Sequence, residues 1–109
     1  MGERESAGLG HPLYSCRRCR NPLALNADLI SKSYKAKSGQ AYMFRHAMNV
    51  VIGAKEERQL MTGQYTISHI FCSRCGDEMG WTYVTAFDAT QKFKEGKYIL
   101  EKAKILKEY

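Results

Sequence analysis

The chain has 109 residues, is 44% hydrophobic and 26% charged, and carries a formal net charge of +6; these are the proportions of one small globular domain, not of a disordered, collagen-like or low-complexity chain. Its longest aliphatic run is Val50–Val51–Ile52, far short of the roughly 20 apolar residues of a membrane helix. Met1 to His11 carry Glu3, Arg4 and Glu5 and no apolar block, so no secretory signal is expected there.

Residues 1–12, rich in Gly with Ser6 and His11, are expected to form a flexible tail. Order is expected from Leu13–Tyr14 onward, giving one domain over 13–109. Cys16-x-x-Cys19 follows, and Asn21–Pro22 marks a turn. Leu29–Ile30 and Ser33–Tyr34 are β-compatible, and Lys35 to Gly39 reads as a loop. Ala41 to Phe44 and Asn49 to Ile52 read as short strands. Gly53 to Gln59 is polar and charged, which predicts a turn or one helical turn. Tyr65 to Cys72 alternates, with Tyr65, Ile67, His69 and Phe71 on one face. That strand delivers Cys72 into Cys72-x-x-Cys75. Gly80 to Ala86 alternates again, with Trp81 and Tyr83 on one face. Phe87 to Gly96 reads as polar turn. Lys97 to Leu100 begins a last strand continued towards Ile105–Leu106, with a helix over 101–107 as the competing pattern.

The cysteines are the main chemical signal. With no secretory signal the compartment is expected to be reducing, so disulfides are disfavoured. Two CxxC pairs separated by residues 20–71 then read as one structural zinc site of Cys16, Cys19, Cys72 and Cys75. A tight turn can present two sulfurs along one edge of a tetrahedron, roughly 3.7 Å apart for Zn–S bonds near 2.3 Å. Gly76 suits the turn after Cys75, whereas Arg20 at the matching place predicts a less regular first knuckle. Arg17, Arg18, Arg20 and Arg74 are placed to balance the charge of a zinc with four thiolates. His69 and His11 lie near the knuckles, but four thiols already close the shell. A thioredoxin-like centre is disfavoured because neither CxxC opens a helical pattern.

The surplus of positive charge is uneven. Residues 16–46 hold seven Lys and Arg against Asp28, and residues 91–109 hold six Lys against three Glu. Nucleic acid is one partner class this permits; solvation of sheet edges and termini is the simpler account.

Tyr14-x-Cys16-x-x-Cys19, Gly39–Gln40–Ala41–Tyr42–Met43–Phe44, Met61–Thr62–Gly63, Cys72-x-x-Cys75, Gly80–Trp81-x-Tyr83 and Gln91 to Lys97 together resemble the Yippee family of small eukaryotic zinc proteins over residues 13–109. The family usually has His two residues after Gly63, where this chain has Tyr65. The resemblance implies a mainly β fold, a β-tent of two antiparallel sheets pinned by zinc, similar to the cereblon ligand-binding domain and methionine sulfoxide reductase B. The reductase type uses a cysteine beyond its zinc ligands, and this chain has four in all. In the cereblon type an aromatic cage holds a small cyclic imide, and Trp81 and Tyr83 match its motif. The resemblance also implies a nuclear or cytoplasmic protein of cell-division or ubiquitin-ligase assemblies.

The function expected is therefore non-enzymatic. It is a zinc-pinned binding or adaptor module holding a protein segment or small ligand in a groove of Trp81, Tyr83, Tyr42 and Phe44. At each ring core packing competes with ligand contact, most strongly at Tyr42 and Phe44, because aromatic residues on strands usually pack. The alternative is a nucleic-acid-binding zinc protein.

Overall fold

A computed structural model describes residues 11–109, so the tail expected over 1–12 lies almost wholly outside the described residues. Among the described residues nine strands form two antiparallel sheets. They are β1 (Leu13–Cys16), β2 (Pro22–Leu25), β3 (Leu29–Ala36), β4 (Gly39–Phe44), β5 (Val50–Leu60), β6 (Gly63–Cys72), β7 (Glu78–Ala86), β8 (Tyr98–Glu101) and β9 (Ile105–Glu108). The smaller sheet has the order β2-β1-β9 and the larger β3-β4-β8-β7-β6-β5. This is the two-sheet tent expected.

Three sequence expectations change. Gly53 to Gln59, read as a turn or one helical turn, is the middle of β5, paired along β6 from Val50↔Cys72 to Leu60↔Gly63. It forms one edge of the larger sheet. An edge strand need not be apolar, and Lys55, Glu56, Glu57 and Arg58 guard it against pairing with another chain. The closing segment is neither one strand nor a helix. β8 completes the larger sheet, a 3-10 turn (Lys102–Lys104) changes direction, and β9 joins the smaller sheet beside β1. The chain thus ties the two sheets together near its end. The Lys35–Gly39 loop contracts to a hairpin closing Ala36 against Gly39.

Side-chain alternation gives the larger sheet two apolar faces. One packs on the smaller sheet, where Tyr14, Leu23, Tyr42, Phe44, Ile70, Met79, Leu100 and Ile105 surround Cys16 and Cys72. The other face carries Ala41, Met43, Tyr65, Ile67, Tyr83 and Ile99, with Tyr34, Leu60 and Trp81 against them. Both faces being apolar explains why β4 reads as a continuous hydrophobic run from Ala41 to Phe44. Gly80 sits where β7 meets β8; a Cβ there would lie 2.0 Å from the Ile99 carbonyl oxygen.

Candidate metal centre and aromatic groove

Each CxxC follows a strand, and the two turns are built alike. The amide of Cys16 donates to Asn21 and that of Arg20 to Cys16; the amide of Cys72 donates to Asp77 and that of Gly76 to Cys72. The residue after the second cysteine is left-handed in both, Arg20 with φ 66° and Gly76 with φ 79°. The first knuckle is therefore as regular as the second, contrary to expectation. The surrounding hydrogen bonds hold Arg20 in a conformation that usually selects glycine.

The smaller sheet brings the first knuckle against the second. All four sulfurs lie within 4.8 Å of one another. Cys16 Sγ is 3.7 Å from Cys75 Sγ, and Cys19 Sγ is 3.5 Å from Cys72 Sγ. Those separations approach the roughly 3.7 Å edge of a zinc–thiolate tetrahedron. The thiols' own chemistry also fits a cation. Burial pushes the Cys16 thiol up to about 12, although the amides of Cys19 and Arg18 favour its thiolate. Burial acts upward on Cys72 too, but the amides of Cys75 and Arg74 and the Asn21 side chain outweigh it and bring it to about 6. One thiolate is thus prepared while Cys16 and Cys19 resist ionisation. A dication supplies the charge that lets the remaining protons leave. The four cysteines are positioned to bind one zinc ion.

Asn21, which reads in sequence only as a turn residue, matters here. It is 3% exposed, and its Nδ2 donates to Cys72 Sγ at 3.3 Å and to the Asn49 carbonyl at 3.2 Å. The arginines are employed otherwise. Arg17 donates to the carbonyls of Ala103 and Ile105, Arg20 pairs with Glu108, and Arg74 donates to the carbonyl of Cys19. Sulfur-directed hydrogen bonds come from backbone amides and Asn21, and arginine charge acts on the centre only through space. His69 is on the other side of β6 from Cys72, opposite Trp81 in the β6–β7 register, with Nδ1 2.9 Å from Glu78 Oε2.

The outer face of the larger sheet forms an open groove of about 1080 Å³. Ile67, Trp81 and Tyr83 line its floor, with residues of β3 on one side and of the β5–β6 hairpin on the other. Trp81 is half-buried and its ring centroid lies 6.3 Å from that of Tyr83. Tyr83 is 3% exposed, and burial pushes its hydroxyl up to about 12. Tyr42 and Phe44 do not join them. Both are buried on the opposite face of the sheet, edge-on to Tyr14. β4 pairs Tyr42 with Leu100 and Met43 with Ile99, while β7 pairs Trp81 with Ile99. Met43 therefore shares the Trp81 face and Tyr42 does not.

One groove residue escapes sequence reading, and a tyrosine beneath the groove holds it. Lys94, in the polar stretch read as turn, is 4% exposed, and its Nζ lies 5.4, 5.2 and 5.4 Å from the ring centroids of Tyr34, Tyr65 and Tyr83. Tyr65 is fully buried and holds Thr62 and Lys94 through its hydroxyl. Nothing in the local pattern around Lys94 marks it as buried, because a 3-10 segment over Ala89–Lys94 carries it.

Comparison with known proteins agrees with this geometry. Residues 13–108 match the family model described as "Yippee zinc-binding/DNA-binding /Mis18, centromere assembly". A "Protein yippee-like" of Arabidopsis thaliana is 53% identical over 98 residues, covering 90% of this chain and 93% of that protein. A "Protein yippee-like" of Solanum tuberosum is 47% identical over 105 residues, covering 96% and 81%. "Protein yippee-like 4" of Rattus norvegicus is 45% identical over 98 residues, covering 90% and 77%. The crystal structure of the Mis18 "Yippee-like" domain matches with a TM-score of 0.71 at 13% identity, covering 92% of this chain and 97% of that one, a likeness of fold.

Proposed function

The chain belongs to the Yippee-Mis18 family, and from that premise we propose that residues 13–109 act as a non-enzymatic binding module. Zinc is its structural pin, and the groove on the outer face of the larger sheet is its recognition surface. The carrying observation is the placement of Trp81, half-buried on the floor of a large open groove and not sealed under a second layer. Its strand starts at the metal knuckle, so the ring is preorganised and little loop entropy is lost on binding. Tyr83 packs beside it and Tyr42 and Phe44 support the sheet from behind. All four cysteines gather at one centre, which leaves no separate thiol nucleophile and supports a role without catalysis. A centre of four reduced thiols also supports a reducing compartment, nucleus or cytoplasm. No helix among the described residues is long and apolar enough to cross a membrane.

The partner proposed is a protein, in a cell-division or ubiquitin-ligase setting of the kind the family resemblance implies. The test is capture from cell extract on the immobilised zinc-loaded domain, with Trp81→Ala as the matched control. Trp81→Ala is expected to keep its zinc and most of its melting temperature and to lose the captured proteins. Identical capture by both forms would place recognition elsewhere.

A second reading has one observation in its favour. Arg17, Lys32, Lys102 and Lys107 line a small cavity of about 200 Å³ between the sheets' ends, and the matching family's description includes DNA binding. Binding to nucleic acid there would weaken steeply with salt. Submicromolar binding at physiological salt that these four residues control would promote it over the groove.

A further inference from the structure

The groove holds a charge that its lining leaves unanswered. Lys94 Nζ donates to Thr62 Oγ1 and to the Tyr65 hydroxyl, each at 3.0 Å. An ammonium has three donors, and among the described residues no carboxylate lies within ion-pair distance of this one. The faces of Tyr34, Tyr65 and Tyr83 stabilise the cation but carry no net charge. A desolvated ammonium with neutral neighbours favours an anion at its open side. The Trp81 Nε1 in the same groove is buried, with the Tyr83 hydroxyl as its polar neighbour, so Lys94 is the donor that the subsite offers.

The surrounding charges point the same way. Lys35 from β3, Lys37 from the turn after it and Arg58 line the groove, against Glu78, which lies beside His69, and Glu101, which accepts from Ser38 Oγ. Lys94 also decides against a cationic ligand at this end, because the Tyr83 face that would receive one is filled by the chain's own ammonium.

We propose that this end of the groove is a carboxylate-reading subsite and that its occupant is an extended acidic peptide segment of a partner protein. An Asp or Glu side chain of the peptide accepts the remaining Lys94 N–H. The inference rests on the groove being the recognition surface. A nucleic-acid backbone is a poorer occupant. Its phosphates sit on a broad polyanion that meets exposed cations, whereas this ammonium is 4% exposed and suits a side chain that can reach in.

The experiment selects random peptides displayed on phage against the zinc-loaded domain and titrates synthetic copies by the fluorescence of Trp81, the only tryptophan. The enriched peptides are expected to share an Asp or Glu at one position. Replacing it by Asn or Gln should weaken binding about tenfold or more. Lys94→Met, which keeps the stem and removes the charge, should erase that difference. The peptide-side substitution is read on the unaltered protein, so the test survives a Lys94→Met variant that fails to fold. Peptides that perturb Trp81 with no acidic requirement would overturn the subsite and leave the groove standing. Failure to enrich any peptide, or peptides that leave Trp81 fluorescence unchanged, would overturn the groove and the subsite with it. A single-stranded DNA oligomer that perturbs Trp81 in a Lys94-dependent manner where acidic peptides do not would replace the proposed occupant.

Discussion

Three residues show how differently single positions are constrained. Gly80, beside the groove tryptophan, is glycine because of the strand behind it, not because of a ligand. A Cβ there would lie 2.0 Å from the Ile99 oxygen and 2.9 Å from its carbonyl carbon, both backbone atoms that cannot step aside. Gly76 needs glycine only for its dihedral, since a Cβ there meets nothing within 4 Å. Gly80→Ala is therefore expected to lower unfolding stability by about 3 kcal/mol or more, and Gly76→Ala by about 1 kcal/mol. Denaturant unfolding of the two zinc-loaded variants checks the order, and equal losses would contradict the packing argument. Arg20 shows the third case, a non-glycine side chain held left-handed by the hydrogen bonds of its knuckle. At this scale the cysteines were legible, because metal ligation fixes residue type and local spacing together. Asn21 and Lys94 were not, since each acts on groups distant in sequence: Asn21 on Cys72, Lys94 on Thr62, Tyr65 and Tyr34.

Among the elements, alternating strands were readable and edge strands were not. β6 and β7 each bury one apolar set on either face, so period-two patterning survives in the sequence. β5 is an edge, exposed along much of its length, and its charges look like a turn. The segment after β7 is more consequential, because it delivers Lys94 to the groove. Asp88 caps the 3-10 helix Ala89–Lys94 by accepting from the Thr90 amide. Glu95 then ties its end to β7, accepting from the Ala86 amide at 2.9 Å and from Lys92 Nζ at 3.1 Å. The Ala86 amide, followed by Lys92, holds the Glu95 carboxyl below its ordinary value of 4.5. Because the folded value is depressed, this anchoring is present above the unfolded pKa and is lost as pH falls through the folded one. An NMR titration of Glu95 in the zinc-loaded domain is expected to give a midpoint below 4.5. Glu95→Gln should speed amide exchange at Ala86 and through residues 89–94 at neutral pH, while the β1–β9 pairing keeps its protection. A midpoint at the ordinary value would mean that the carboxylate is not holding this segment.

For the whole molecule, the zinc centre does what the smaller sheet cannot do for itself. Strands of four residues in a three-stranded sheet bury little apolar surface alone. The sheet is held to its larger neighbour by one shared core, and Cys16 and Cys72 sit within it. A metal there joins β1 to β6 across residues 20–71, besides satisfying four buried or half-buried thiols. Structural zinc contributes on the order of 10 kcal/mol of apparent binding free energy, comparable to the whole stability of a small domain. The groove core, by contrast, lies on the far face of the larger sheet and includes none of the four cysteines. Stripping zinc with a chelator at neutral pH is therefore expected to release the smaller sheet first. Amides of β1, β2 and β9 should lose exchange protection ahead of those pairing β6 with β7, followed by loss of strand signal in circular dichroism. Cys72→Ser should reproduce the result without chelator, because its sulfur is the thiolate prepared by two amides and Asn21. Elemental analysis of the untreated protein should give one zinc per chain. A metal-free domain that keeps its circular dichroism and melting temperature would show that the two-sheet core holds itself, and the zinc would then have to be assigned a role other than pinning the fold.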